Sequence, residues 1–133
     1  LAVTPPMGWR SWNAFGAGIS QDIMESIMDA LAAPVWTVDG KSNISLYQIG
    51  YTAAGLDEGW EGCGMGVNGT QHDADGNPTI NKKFPDMAAL VKYGHDRSLK
   101  VGWYENGCAC GERHEIMRNY VGDVQQLHAF GFD

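Results

Sequence analysis

The chain has 133 residues, with 16 acidic and 9 basic side chains and a formal net charge of -7. That balance excludes the basic surface a nucleic-acid backbone or an anionic membrane selects, and no apolar run approaches the ~20 residues of a membrane span. A hydrophobic fraction of 44% supports a buried core and excludes wholesale disorder.

In chain order, Pro5-Pro6 forces extended backbone, and Met7-Gly8-Trp9 reads as a short strand. Ser20 is an N-cap candidate. After it, Ile23, Met24, Ile27, Met28 and Leu31 form one apolar helix face, opposite Asp22, Glu25 and Asp29, and Pro34 ends the helix. Residues 34–46 read as a polar loop with a turn at Asp39-Gly40. Ile49 to Leu56 reads as a buried strand that ends in Asp57-Glu58-Gly59-Trp60. Residues 61–82 form a long Gly/Asn/Asp-rich excursion, with a turn signal at Asp75-Gly76. Phe84-Pro85-Asp86 opens a second helix carrying Met87, Leu90 and Val91, and Leu99 to Tyr104 is a short strand. After a Cys/Gly loop over 105–112, a third helix places Ile116, Tyr120, Val121, Val124 and Leu127 on one stripe. Gly131 ends that helix, and Phe132-Asp133 starts a fourth strand.

Strands separated by helices imply an α/β fold with a parallel sheet and right-handed crossovers. Ligand groups in such folds sit on loops after the carboxyl ends of strands. Trp12, the pair Asp57-Glu58, and Tyr104 with Cys108 all fall there. Carboxylates accept charge-assisted hydrogen bonds from sugar hydroxyls, and an aromatic face packs on the C–H face of a pyranose. Asp57 and Glu58 are neighbours whose side chains diverge. They are therefore not the acid and nucleophile of one glycosidase, which face each other roughly 5–5.5 Å apart in retaining enzymes. Trp9 and Trp12 are expected to split, one into the core and one onto the pocket. His72, His95, His114 and His128 have no metal or triad spacing and read as surface or structural residues.

There are three cysteines, Cys63, Cys108 and Cys110, so at least one lacks an internal partner. Asn43-Ile44-Ser45 and Asn68-Gly69-Thr70 are glycosylation sequons. Sequons and clustered cysteines together favour a secreted chain. The Cys108-x-Cys110 spacing is wrong for a structural zinc ribbon, so no metal is expected. No cofactor is implied. The abrupt end at Asp133 reads as that of a piece of something longer.

The stretch Thr4-Pro5-Pro6-Met7-Gly8-Trp9-Arg10-Ser11-Trp12-Asn13-Ala14-Phe15-Gly16 resembles the opening signature of the α-galactosidase family of glycoside hydrolases (family 27, clan D). Three further stretches resemble that family in its order: Gly50 to Trp60, Phe84 to Tyr104, and Phe130 to Asp133. The resemblance implies that residues 1–133 are the N-terminal part of a TIM (β/α)8 barrel, its first three to four β/α units. It further implies a secreted or lysosomal/vacuolar retaining exo-glycosidase that removes terminal α-D-galactose. Carried over by position, Trp12 lines the galactose pocket, Asp57 and Glu58 bind the 4- and 6-hydroxyls, and Tyr104 stands in the pocket wall. The nucleophilic Asp and the acid/base Asp of the family fall beyond Asp133.

Departures from the family pattern accompany the match. A disulfide usual in the family would join the positions of Ala17 and Gly59, and both halves are missing. Cys63 is a replacement partner for Cys108 or Cys110, and the remaining cysteine would pair beyond the chain. Glu58 stands where Asp is usual, and residues 34–46 look like an insertion. The same scaffold acting on α-N-acetylgalactosamine or β-L-arabinopyranose is the enzymatic alternative. A non-catalytic carbohydrate-binding module is the alternative from another class.

Overall fold

The computed structural model describes residues 5–113 and 115–133. Thr4 of the opening motif and His114 lie outside the described residues.

Strand β1 (Gly8–Arg10) leads through the short helix α1 (Trp12–Phe15) to helix α2 (Gln21–Ala32). Ser20 caps α2 as its position predicts, its Oγ accepting from the Ile23 N–H at 3.4 Å. Met24, Met28 and Leu31 are buried on the expected face. Residues 34–46 are not a loop. They hold an antiparallel hairpin, β2 (Trp36–Val38) and β3 (Lys41–Ile44), with a bulge between Trp36 and Val38. Its turn is at Asp39-Gly40, with φ of 50° and 75°, the consecutive left-handed residues a two-residue hairpin turn requires. The polarity of the segment hid the strands because both hairpin faces are largely exposed.

Strand β4 (Ala53–Leu56) is shorter than expected, because Tyr47–Ile49 form a 3-10 turn before it. Helix α3 (Met87–His95) is capped by Asp86, whose Oδ1 accepts from the Ala89 N–H at 2.9 Å. Strand β5 (Lys100–Trp103) follows, then helix α4 (Met117–Phe130). The sheet order is β1-β4-β5, all parallel, with Arg10 opposite Gly55 and Leu56 opposite Trp103. Every new strand is thus laid beside the one before it in the sheet.

Alternation along the strands separates two faces. Ala54, Leu56, Val101 and Trp103 join the core with residues of α2 and α3. Gly8, Arg10, Ala53, Gly55 and Gly102 lie on the other face and line an open groove of about 280 Å³. Beyond α4, Phe132 is buried and stacks on Trp103. The Asp133 N–H donates to the Val101 carbonyl at 3.0 Å, along the free edge of β5. Phe132-Asp133, expected to start a fourth strand, forms no strand of its own, and its backbone bonds to the sheet through this contact at Val101.

Helix α4 departs from its expected orientation. Tyr120, Val121 and Val124 of the apolar stripe are exposed, and Asn119, Gly122 and Asp123 are buried instead. The reason is that the 61–82 excursion docks on α4 through polar and backbone contacts. A Cβ on Gly122 would stand 1.9 Å from the Gly76 carbonyl oxygen, so only hydrogen fits there.

Candidate sugar-binding site

The sequence-predicted residues sit where the strands end. Trp12 is the first residue of α1 and is 46% exposed, whereas Trp9 takes the core position expected of one of the pair. Asp57 and Glu58 directly follow β4, and Tyr104 directly follows β5. Ser11 is fully buried and ties the first two strand ends together. Its N–H donates to the Gly55 carbonyl at 3.1 Å, and its Oγ accepts from the Asp57 N–H at 2.8 Å.

The structure adds Arg10, which sequence reasoning had passed over inside its motif. Its Nε donates to Asp57 Oδ2 at 2.7 Å, and its guanidinium carbon lies 5.8 Å from the centre of the Tyr104 ring. Arg10 therefore joins Asp57 and Tyr104 across the ends of β4 and β5. Asp57 Oδ1 accepts from the Glu58 N–H at 3.0 Å, so both its oxygens are held. The Glu58 carboxylate accepts a hydrogen bond from Asn106 Nδ2. Trp60 is fully buried, and its indole donates to the Tyr104 carbonyl at 2.9 Å, fixing the backbone beneath that tyrosine.

The two long loops behind these residues are strapped together. Cys63 and Cys110 form a disulfide across 47 residues of sequence. This resolves the open choice between Cys108 and Cys110, and Cys108 is exposed with a free thiol. Gln71 Nε2 donates to the Asn106 carbonyl at 2.7 Å. His72 is buried with Nδ1 2.8 Å from Glu112 Oε2 and Nε2 2.7 Å from Asp123 Oδ1. Nothing in the sequence pairs His72 with acids some 40 to 51 positions away. Burial works against the imidazolium, but the two carboxylates outweigh it and raise the His72 pKa above its ordinary value. Glu105 is the second residue missed. Burial first, then the charges of Asp123 and Glu61, push its carboxyl up to about 8.

Asn43 and Asn68 are both exposed, with φ of 61° and 54°. Gly59 lies against Ala17, since a Cβ on Gly59 would stand 2.9 Å from the Ala17 Cα. The two positions where the family disulfide is missing are therefore neighbours. Among the described residues no group of three His, Cys, Asp or Glu is placed to hold a metal ion. No described helix is long and apolar enough to cross a membrane.

Fold and site define an α/β protein whose acids and aromatics gather at the carboxyl ends of parallel strands. The chain is 32% identical over 137 residues to α-galactosidase A of Cellvibrio japonicus, covering 100% of this chain and 30% of that protein. It is 32% identical over 108 residues to the α-galactosidase of Cyamopsis tetragonoloba, covering 80% of this chain and 22% of that one. The solved α-galactosidase of Saccharomyces cerevisiae with raffinose shares its fold, with a TM-score of 0.73 and 24% identity over 98% of this chain and 26% of the other. No protein-family model matches. The chain belongs to the α-galactosidase family, and it spans less than a third of the length of these relatives.

Proposed function

We propose that residues 1–133 are the N-terminal part of a (β/α)8 barrel in a retaining exo-α-galactosidase that removes terminal α-D-galactosyl residues. One observation carries this reading most: Asp57, Glu58 and Tyr104 stand at adjoining strand ends, with Arg10 joining Asp57 to Tyr104 and Asn106 bonded to Glu58. On this reading Asp57 and Glu58 accept the sugar's 4- and 6-hydroxyls, and Trp12 and Tyr104 pack beside the ring. The residues within the chain bind and orient the sugar. On the same reading the two catalytic Asp residues belong to later strands, outside residues 1–133. The joined pair Cys63–Cys110 and two exposed sequons support an extracytoplasmic location, secreted or lysosomal/vacuolar.

The test is hydrolysis by the full-length protein of three aryl glycosides: α-galactoside, α-N-acetylgalactosaminide and β-L-arabinopyranoside. Preferred cleavage of the first supports the reading. Preference for either of the others reassigns the sugar while keeping the scaffold. Galactose binding with no hydrolysis of any of them supports a binding module instead. Asp57→Ala removes a charged hydrogen-bond acceptor and should lower kcat/KM on the preferred substrate by about tenfold or more. Residues 1–133 alone should show no turnover.

A further inference from the structure

Asn106 has no role in the sequence pattern, yet its side chain is fully oriented. Oδ1 accepts from the Cys108 N–H at 3.0 Å. That bond decides which way the amide faces, so that the NH₂ group points at Glu58. Nδ2 donates to Glu58 Oε1. The Asn106 carbonyl accepts from Gln71, which is only 1% exposed and belongs to the other long loop. Asn106 is thus gripped by its own loop through Cys108 and by the opposite loop through Gln71. The Cys63–Cys110 disulfide holds those two loops in register. Glu58 differs from Asp57 in needing such support. Arg10 and a backbone N–H fix both Asp57 oxygens, whereas the Glu58 side chain is one methylene longer and has more rotamers to lose.

We infer that Asn106 is a positioning residue for Glu58. By donating to Oε1 it fixes the carboxylate so that the second oxygen is presented to a sugar hydroxyl. It acts through Glu58 and not on the reacting bond, and the inference rests on the reading of Glu58 as a sugar-binding residue. The hydroxyl that Glu58 holds is remote from the bond that breaks. The contact therefore contributes equally to ground and transition states, and its loss appears in KM.

The experiment measures kcat and KM of the full-length protein on the aryl glycoside it prefers. Asn106→Ala should raise KM about tenfold, the worth of a hydrogen bond to a charged group, and leave kcat within about twofold. Asn106→Asp sets two carboxylates face to face and should raise KM further. The double variant E58Q/N106D moves the carboxylate to the other partner and restores a charge-assisted hydrogen bond. Its KM should fall below that of N106D alone, a rescue that a purely structural role for Asn106 would not give. An unchanged KM in N106A, or independent effects of E58Q and N106D that simply multiply, would overturn the inference while the function stands. A wild-type protein that neither binds nor cleaves the glycosides would remove the sugar site itself, and this inference with it.

Discussion

Glu105, next to the proposed sugar site, shows how a residue is tuned by its surroundings. Both of its carboxylate oxygens are buried and lack a hydrogen-bond partner. Its unfolded value is near 4.5 and its folded value about 8. Below pH 4.5 the group is protonated in both states and costs nothing. Between 4.5 and 8 the unfolded chain ionises while the folded one resists, so stability falls as pH rises. Glu105→Gln keeps the shape without the charge. It should raise stability at pH 7 by about 1–3 kcal/mol, and the gain should vanish in melts near pH 4. His72 has the same slope for the opposite reason. Its imidazolium is stabilised between Glu112 and Asp123, so its contribution is full below its unfolded pKa of 6.5 and is lost as pH climbs through the raised folded value. His72→Ala strands two buried carboxylates and should cost about 3–5 kcal/mol. Urea melts should show that deficit shrinking as pH rises above the unfolded value of 6.5. Neither residue was legible from the sequence. A glutamate at the head of a Cys/Gly loop is ordinary until packing removes its water, and the partners of His72 lie on remote segments. Trp12, Asp57, Glu58 and Tyr104 were placed at strand ends because strand periodicity is local. Asn106, only two residues past Tyr104, gave no signal because its role depends on contacts from another loop.

Among the elements, the ones read correctly are those whose partner is the sheet. Helices α2 and α3 bury the faces their spacing defines, and Ser20 caps α2 as its position predicts. Helix α4 was misread because its inner neighbour is a polar loop, which left Gly122 and Asp123 inward and Val121 and Val124 outward. The hairpin β2–β3 was missed for a related reason, since Lys41-Ser42-Asn43-Ile44 has no apolar alternation and β2 is only three residues long. The α4 contact makes a sharp prediction. At Gly122 an added methyl group would collide with the backbone of Gly76, not with a movable side chain. Gly122→Ala should therefore destabilise by about 2–3 kcal/mol. Gly18→Ala, with open space around it, should be near neutral by the same denaturant titration.

At the level of the whole molecule, residues 1–133 carry surfaces suited to contact. Met117 is 72% exposed and Val124 67%, both on the outer face of α4. The inner sheet face is lined by glycine and alanine, and the β5 edge is occupied at Val101 by Asp133. Expressed alone, this stretch should self-associate, because open strand edges and apolar patches seek partners. Light scattering after size exclusion checks this, and Met117→Glu with Val124→Glu should shift the population toward monomer. The Cys63–Cys110 strap also sets an order of events during synthesis. Cys63 is made 47 residues before its partner. At roughly 5–20 residues per second its thiol waits for about 2–9 seconds. Cys108 is made only two residues before Cys110, so both thiols become available to Cys63 at nearly the same time. Cys108 is exposed, so a Cys63–Cys108 bond formed in error stays open to attack by the Cys110 thiolate. The two loops are joined only when the Cys63–Cys110 bond is made, so their final spacing waits on thiol oxidation and not on backbone folding alone.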